Sequence, residues 1–229
     1  MPFDKHLVPA FVAAAALAFA SASQAAISVY DSQSAFLDHV GASGVDTFND
    51  LALGSRPGSY SRAAGGFGYV VSVVDDAGKA DSFFNAGTAS DTWLSTNTGV
   101  DEIVFSGFGS GVKGIGGHFF GTDSDGSFFA GQPITVTLTD VGGSSTKTVV
   151  GADPNAFLGF VSTGNLLSLS VKVGAGGSSG AWPTVNDVFI AAPVPEPGTY
   201  ALLLAGLGVV GITVRRRKSR LNGGSGTAA

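Results

Sequence analysis

The sequence predicts an all-β protein: an antiparallel β-sandwich, jelly-roll-like, with one short N-terminal helix and a single C-terminal transmembrane helix. Three observations lead there. The segments "ITVTLTD" and "LSLSVKV" alternate apolar and polar residues, as strands with one buried face do. Breaks rich in Gly, Ser and Asp separate such segments at intervals of about 8–12 residues, the spacing of a sandwich or barrel. Residues 200–214 carry no charge and run into four consecutive basic side chains.

At the start of the chain, residues 7–20 are almost wholly apolar behind Lys5 and His6. Ser23, Gln24 and Ala25 then satisfy the small-x-small rule of signal peptidase. Residues 1–25 therefore read as a secretory signal, cleaved after Ala25 or Ala26. The apolar run is short for a permanent span. The chain has no cysteine, so an exported body must be held by packing or ions. That body is residues 26–192, enough for one sizeable domain. Residues 27–195 hold fifteen Asp or Glu against six Lys or Arg, a balance near −9. An acidic body argues against nucleic acid as a partner, because phosphate binding needs a basic face.

Within the body, residues 27–30 read as a strand. Asp31 or Ser32 then caps a helix with Ala35, Phe36 and Val40 on one face, ended by Gly41. A strand at 45–48 follows. Further strands are expected at 67–74, 101–108, 112–120, 133–139, 145–150, 157–162, 166–173 and 185–191. The chain's 35 glycines do not make the body disordered, because nine of the seventeen Phe fall in these strands. No internal repeat of fixed period is present.

The C-terminal part divides into a Pro-rich segment (193–199), an apolar helix (200–214) and a basic cluster with a Gly/Ser tail (215–229). Fifteen helical residues cover about 22 Å, short of a hydrocarbon core of about 30 Å. The basic residues should stay cytoplasmic and leave the body outside. Pro195-Glu196-Pro197, then an apolar helix, then Arg215, Arg216, Arg217 and Lys218, resembles the PEP-CTERM sorting signal of Gram-negative bacteria that make extracellular polysaccharide. The resemblance implies that Pro195, Glu196 and Pro197 are recognised by an exosortase, a membrane-embedded cysteine transpeptidase that removes the helix. It also implies that the basic cluster retains the precursor in the inner membrane. Family members usually end soon after that cluster, whereas "LNGGSGTAA" follows it here. The strand, "AFL" helix and "DTFND" opening is similar to the exported bodies of many such proteins. "FSGFGSGVKGIGGHFFG" with "VNDVFIA" resembles carbohydrate-binding jelly rolls at the level of fold.

Few constellations in the body point to chemistry. Asp123 and Asp125, two apart and followed by Gly126, could help coordinate Ca²⁺ if loop carbonyls joined them, or could form a hairpin tip. Trp93 and Trp182 fall in loop-like stretches; they could offer a sugar platform, with Tyr60 or Tyr69 contributing, or cap the core. Asp75-Asp76, Asp101-Glu102 and Asp187 would serve a glycosidase only with two carboxylates at set separations. "GGSSG" at 176–180 lacks the strand–helix setting of a nucleophile elbow, and "GSGVKG" at 109–114 lacks a βαβ unit. His39 and His118 are the only histidines past the signal, too few for a His/Cys metal site.

The expectation is an exported, non-enzymatic protein of the cell surface or extracellular matrix, sorted by exosortase and having a binding or structural role in exopolysaccharide or biofilm. The alternatives are a secreted polysaccharide hydrolase and a permanently anchored periplasmic sandwich.

Overall fold

The computed structural model describes residues 25–74, 82–150 and 153–194, together with Leu204 and Leu207. The first elements are β1 (Ile27–Tyr30), helix α1 (Gln33–Asp38), β2 (Val40–Asp46), β3 (Gly54–Pro57), β4 (Ser59–Ala64), β5 (Phe67–Val74), β6 (Ser82–Thr88) and β7 (Asp91–Thr96). Then come β8 (Glu102–Ser106), β9 (Gly114–Thr122), β10 (Ile134–Asp140), β11 (Gly143–Val149), β12 (Phe157–Ser162), β13 (Leu166–Val173) and β14 (Trp182–Pro193). They make two antiparallel sheets. One runs β1-β12-β9-β14-β7-β6-β3, with β2 taking over beside β14 beyond β7. The other runs β11-β10-β13-β8-β5-β4.

The inward faces of both sheets share one apolar core. Phe83, Leu94, Phe119, Phe160 and Ile190 of the first sheet meet Val71, Phe105, Val136, Leu138 and Leu169 of the second. Each such side chain contributes about 1.5–3 kcal/mol when buried, which is how a body without disulfides is held. Four expected strands, 27–30, 67–74, 157–162 and 166–173, match the observed ones to the residue.

The opening segment corrects the sequence reading. Ser32 is the N-cap, its hydroxyl accepting from the Ala35 amide at 3.3 Å, and His39 ends the helix. Val40 and Gly41 belong to β2, so they neither extend nor terminate the helix. A six-residue helix is not stable alone. It stays because Phe36 is fully buried over the outer face of the first sheet, where glycines leave room. A Cβ on Gly159 would stand 2.6 Å from the Phe36 ring.

The "DTFND" segment supplies a buried ionic clamp. Arg62 of β4 donates Nε to Asp46 Oδ2 and NH2 to Asp46 Oδ1, both at 2.7 Å. Tyr69 donates its hydroxyl to the same carboxylate at 2.6 Å, and the Phe48 amide donates at 3.0 Å. Arg62 also reaches Asp50, 2.6 Å away, and lies 5.3 Å over the Phe48 ring. These contacts hold Phe48 at φ 58, a backbone state that a bulky residue otherwise avoids. Burial and the neighbouring Asp46 push the Tyr69 hydroxyl well above its usual range. The clamp ties β2 and β4 together across the two sheets.

Candidate functional site

The two ends of the body leave it at one rim. Antiparallel pairing of β1 with β12, β12 with β9 and β9 with β14 makes the start of β1 and the end of β14 point the same way. One backbone row joins them: Lys113 donates to the Ala191 carbonyl at 2.9 Å, and Ser162 donates to the Lys113 carbonyl at 2.8 Å. Ile27 pairs with Ser162 in the next step. Three strand spacings separate the exits, about 14 Å.

β14 stays paired with β2 as far as Pro193, and only Val194 separates it from the Pro-Glu-Pro segment. Gly41 permits that pairing, since a Cβ there would lie 2.6 Å from the Pro193 carbonyl oxygen. Six residues, 194–199, separate the end of β14 from the apolar stretch at 200–214. Pro195, Glu196, Pro197, Arg215, Arg216, Arg217 and Lys218 lie outside the described residues, as does most of the signal. Of the 200–214 helix, Leu204 and Leu207 are described; both are helical and exposed. Among the described residues no helix is long and apolar enough to cross a membrane.

Trp93 and Trp182 stand on strands β7 and β14 rather than in loops. The two part company there. Trp182 lines a cleft of ≈ 190 Å³ with Phe84, Thr96, Asn97, Asp123 and Ser124. That volume is below the usual ligand pocket of about 300–1,000 Å³, so it suits one ring rather than a whole oligomer. Trp93 instead packs edge-on against Phe120, centroids 4.9 Å apart. A buried hydroxyl trio lies beside the cleft: Thr184 bonds Ser95 at 3.0 Å and Thr122 at 2.8 Å.

Asp123 and Asp125 form a turn. Asp123 Oδ1 accepts from the amides of Asp125 at 3.0 Å and Ser127 at 2.9 Å, and Gly126 sits at φ +77. Among the described residues no group of three or more His, Asp or Glu is placed to hold a metal ion. The "GGSSG" segment lies in the connection between β13 and β14, with no helix following it.

Sequence reasoning missed the pair His118–Asp187. Their nearest atoms are 3.6 Å apart on the outer face of the first sheet, walled by Phe157 and Phe189. Asp187 occupies φ 50 at a register shift in β14, the point where β2 replaces β7 as its neighbour. Burial pushes the Asp187 carboxyl up, opposed by His118 and reinforced by Asp91. Burial likewise holds His118 below its ordinary range, against the pull of Asp187, Asp153 and Asp91. Spacing alone could not have paired two residues 69 positions apart on different strands.

A family model described as the PEP-CTERM protein-sorting motif matches residues 193–218. No curated protein matches the chain at a significant level. Among solved structures, "The structure of CBM51-2 in complex with GlcNAc and INT domains from Clostridium perfringens ZmpB" is 14% identical with a TM-score of 0.33. That match covers 67% of this chain and 32% of the other, so this chain spans about a third of its length. A likeness that slight carries no ligand across. The match at 193–218 shows that the chain carries a PEP-CTERM protein-sorting motif, consistent with an exosortase substrate.

Proposed function

We propose that the body is a non-catalytic binding or structural module of the cell surface or extracellular polysaccharide, delivered when exosortase cuts away the C-terminal helix. The observation that carries this reading is the placement of the sorting motif. It follows the last paired residue of β14 almost at once, at the rim where β1 also begins. A precursor held at both ends by apolar segments would then rest on one membrane face, with Pro-Glu-Pro between body and lipid. Prolines suit that role because they keep the segment out of a helix. The span is too short to be a comfortable permanent anchor, which favours removal over retention. From β7 onwards the chain alternates between the two sheets except at the β10–β11 hairpin, and we class the sandwich as jelly-roll-like on that ground.

The binding role rests on the Trp182 cleft, whose aromatic wall and polar rim of Asn97, Thr96 and Asp123 fit the face and hydroxyls of a sugar ring. The test has two parts. In an exosortase-bearing Gram-negative host the mature protein should lack residues beyond the motif, and scrambling Pro195–Pro197 should strand it in the inner membrane. Purified body should bind the host's exopolysaccharide, with Trp182→Ala weakening binding about tenfold, the loss of one stacking contact of roughly 1–2 kcal/mol. Absence of wild-type binding across matrix glycans would sink the binding role and leave sorting intact.

The His118–Asp187 pair favours a second reading, a polysaccharide hydrolase using Asp187 as an acid. Turnover of matrix glycans that Asp187→Asn abolishes would establish it; inactivity on a broad panel would end it.

A further inference from the structure

Asp140 lies at the same rim, is 3% exposed, and takes part in none of the ion pairs among the described residues. Its Oδ1 accepts the amides of Gly142 at 2.6 Å and Gly143 at 2.9 Å, and its Oδ2 accepts the Ser162 hydroxyl. Those bonds satisfy the carboxylate as an acceptor but leave its charge without a cation. Burying an unpaired charge is costly.

The chain just before β1 lies over this carboxylate. Ala26 is pinned to the end of β12: its amide donates to Thr163 Oγ1 at 3.0 Å, and its carbonyl accepts from the Thr163 amide at 3.1 Å. Ala25 fills the space next to it, between two glycines. A Cβ built on Gly142 would stand 2.7 Å from Ala25 Cβ and 3.3 Å from Asp140 Oδ1. One built on Gly164 would stand 2.8 Å from Ala25 Cβ and 3.2 Å from Asp140 Oδ2. Ala25 and the carboxylate therefore share one small space, which opens onto a cavity of ≈ 290 Å³ lined also by Ser144 and Ser145.

We propose that cleavage between Ala25 and Ala26 creates an intramolecular ammonium site, in which the new α-ammonium of Ala26 docks on Thr163 and pairs with Asp140. Hydrolysis of that peptide bond consumes one water, leaving a carboxylate on the departing Ala25 and an amine on Ala26 that takes a proton. The amine keeps its bond to Thr163 Oγ1 and gains two donors directed at the space Ala25 vacates. The charged groups beside the vacated space are Asp140 and, across Gly164, Lys113, whose Nζ is already held by the Gly164 carbonyl at 2.9 Å and Asn165 Oδ1 at 2.6 Å. Cleavage one residue later, after Ala26, would discard both Thr163 bonds. Signal removal in this account both releases the body and completes a buried ion pair at its rim.

The site rests on the export reading, and the experiment separates the two. The mature protein is purified after secretion, and its N-terminus is read by mass spectrometry. An N-terminus other than Ala26 overturns the site and the cleavage position together. With Ala26 present, melting temperature is followed from pH 7 to pH 10.5 for the free amine, for the N-acetylated protein and for Asp140→Asn. A paired ammonium keeps its proton to higher pH than a free one, whose ordinary range is about 7.7–8.0. Its contribution is complete below that range and is lost as pH rises through the folded value. The free-amine protein should show this loss and the acetylated protein should not. Because Asp140 also caps the β10–β11 turn, Asp140→Asn has the weaker fold; the acetylated protein, with Asp140 intact, decides the matter. Matching pH profiles for free and acetylated proteins would overturn the site while leaving export untouched.

Discussion

Replacing Arg62 by Met tests how the body is held together. Arg62 donates two 2.7 Å bonds to Asp46, whose side chain is 4% exposed, while its bonds to Asp50 reach a side chain 69% exposed. Loss of the guanidinium leaves Asp46 as a buried charge with only the Tyr69 hydroxyl and the Phe48 amide as donors. Breaking a buried pair from one side costs about 3–5 kcal/mol. For a body of this size that is a fall in melting temperature of roughly 6–20 °C. The exposed half of the network is worth far less, so Asp50→Asn should cost under about 1 kcal/mol. Urea unfolding followed by the fluorescence of Trp93 and Trp182 gives both values. The double variant Asp46→Asn/Arg62→Met should recover part of the loss, because it removes the orphaned carboxylate. If Arg62→Met stayed within about 1 kcal/mol of wild type, or the double variant recovered nothing, the desolvation argument would be wrong.

Three further outcomes are expected. Gly159→Val should destabilise by about 1–3 kcal/mol and loosen α1, since its side chain enters the space of the Phe36 and Phe157 rings; wild-type melting would contradict the docking. Burial keeps His118 from protonating, so the unfolded chain takes up a proton near pH 6.5 that the folded one resists, and stability should fall as pH drops from 7 to 6. His118→Gln should flatten that slope, and equal slopes would refute the assignment. The Asp123 turn closes on its own amides, so EDTA should leave the melting temperature unchanged; a rise that tracked calcium concentration would instead establish an ion there.

The fold was legible wherever a strand buries only apolar residues. β1, β5, β12 and β13 were read to the residue because every second position, or nearly every position, is Ile, Val, Leu, Phe or Tyr. β3, β4, β6 and β7 were missed. Three of these turn a polar side chain inward, which pattern reading scores as a break: Arg62 in β4, Asn85 in β6 and Thr92 in β7. Each is accepted inside because it has a partner, namely Asp46, the Ala52 carbonyl and the Leu51 and Thr88 carbonyls. Apart from Thr88, these partners lie 16–41 positions away and cannot be read locally. The helix was overextended for a related reason. Val40 packs near Phe36 as a helical neighbour would, yet it does so from the first position of β2.

The sorting motif was legible because its three features are contiguous. The cleft was half legible: Trp182 and Asp123 were singled out separately, and the pairing of β14 with β9 brings them together. Trp93 looked equivalent to Trp182 and is not, since its strand turns it against Phe120. Asp187 was noticed only as a carboxylate; its value lies in the β14 register shift that sets it beside His118.

The most direct measurement is the mass of the mature protein's C-terminus, in a host with an active exosortase and in the same host with that enzyme deleted. Loss of everything beyond the Pro-Glu-Pro region in the first host, with the Arg215–Arg217 cluster retained in the second, is the expected pair of results. A basic cluster still attached to the surface-located protein in both hosts would contradict it.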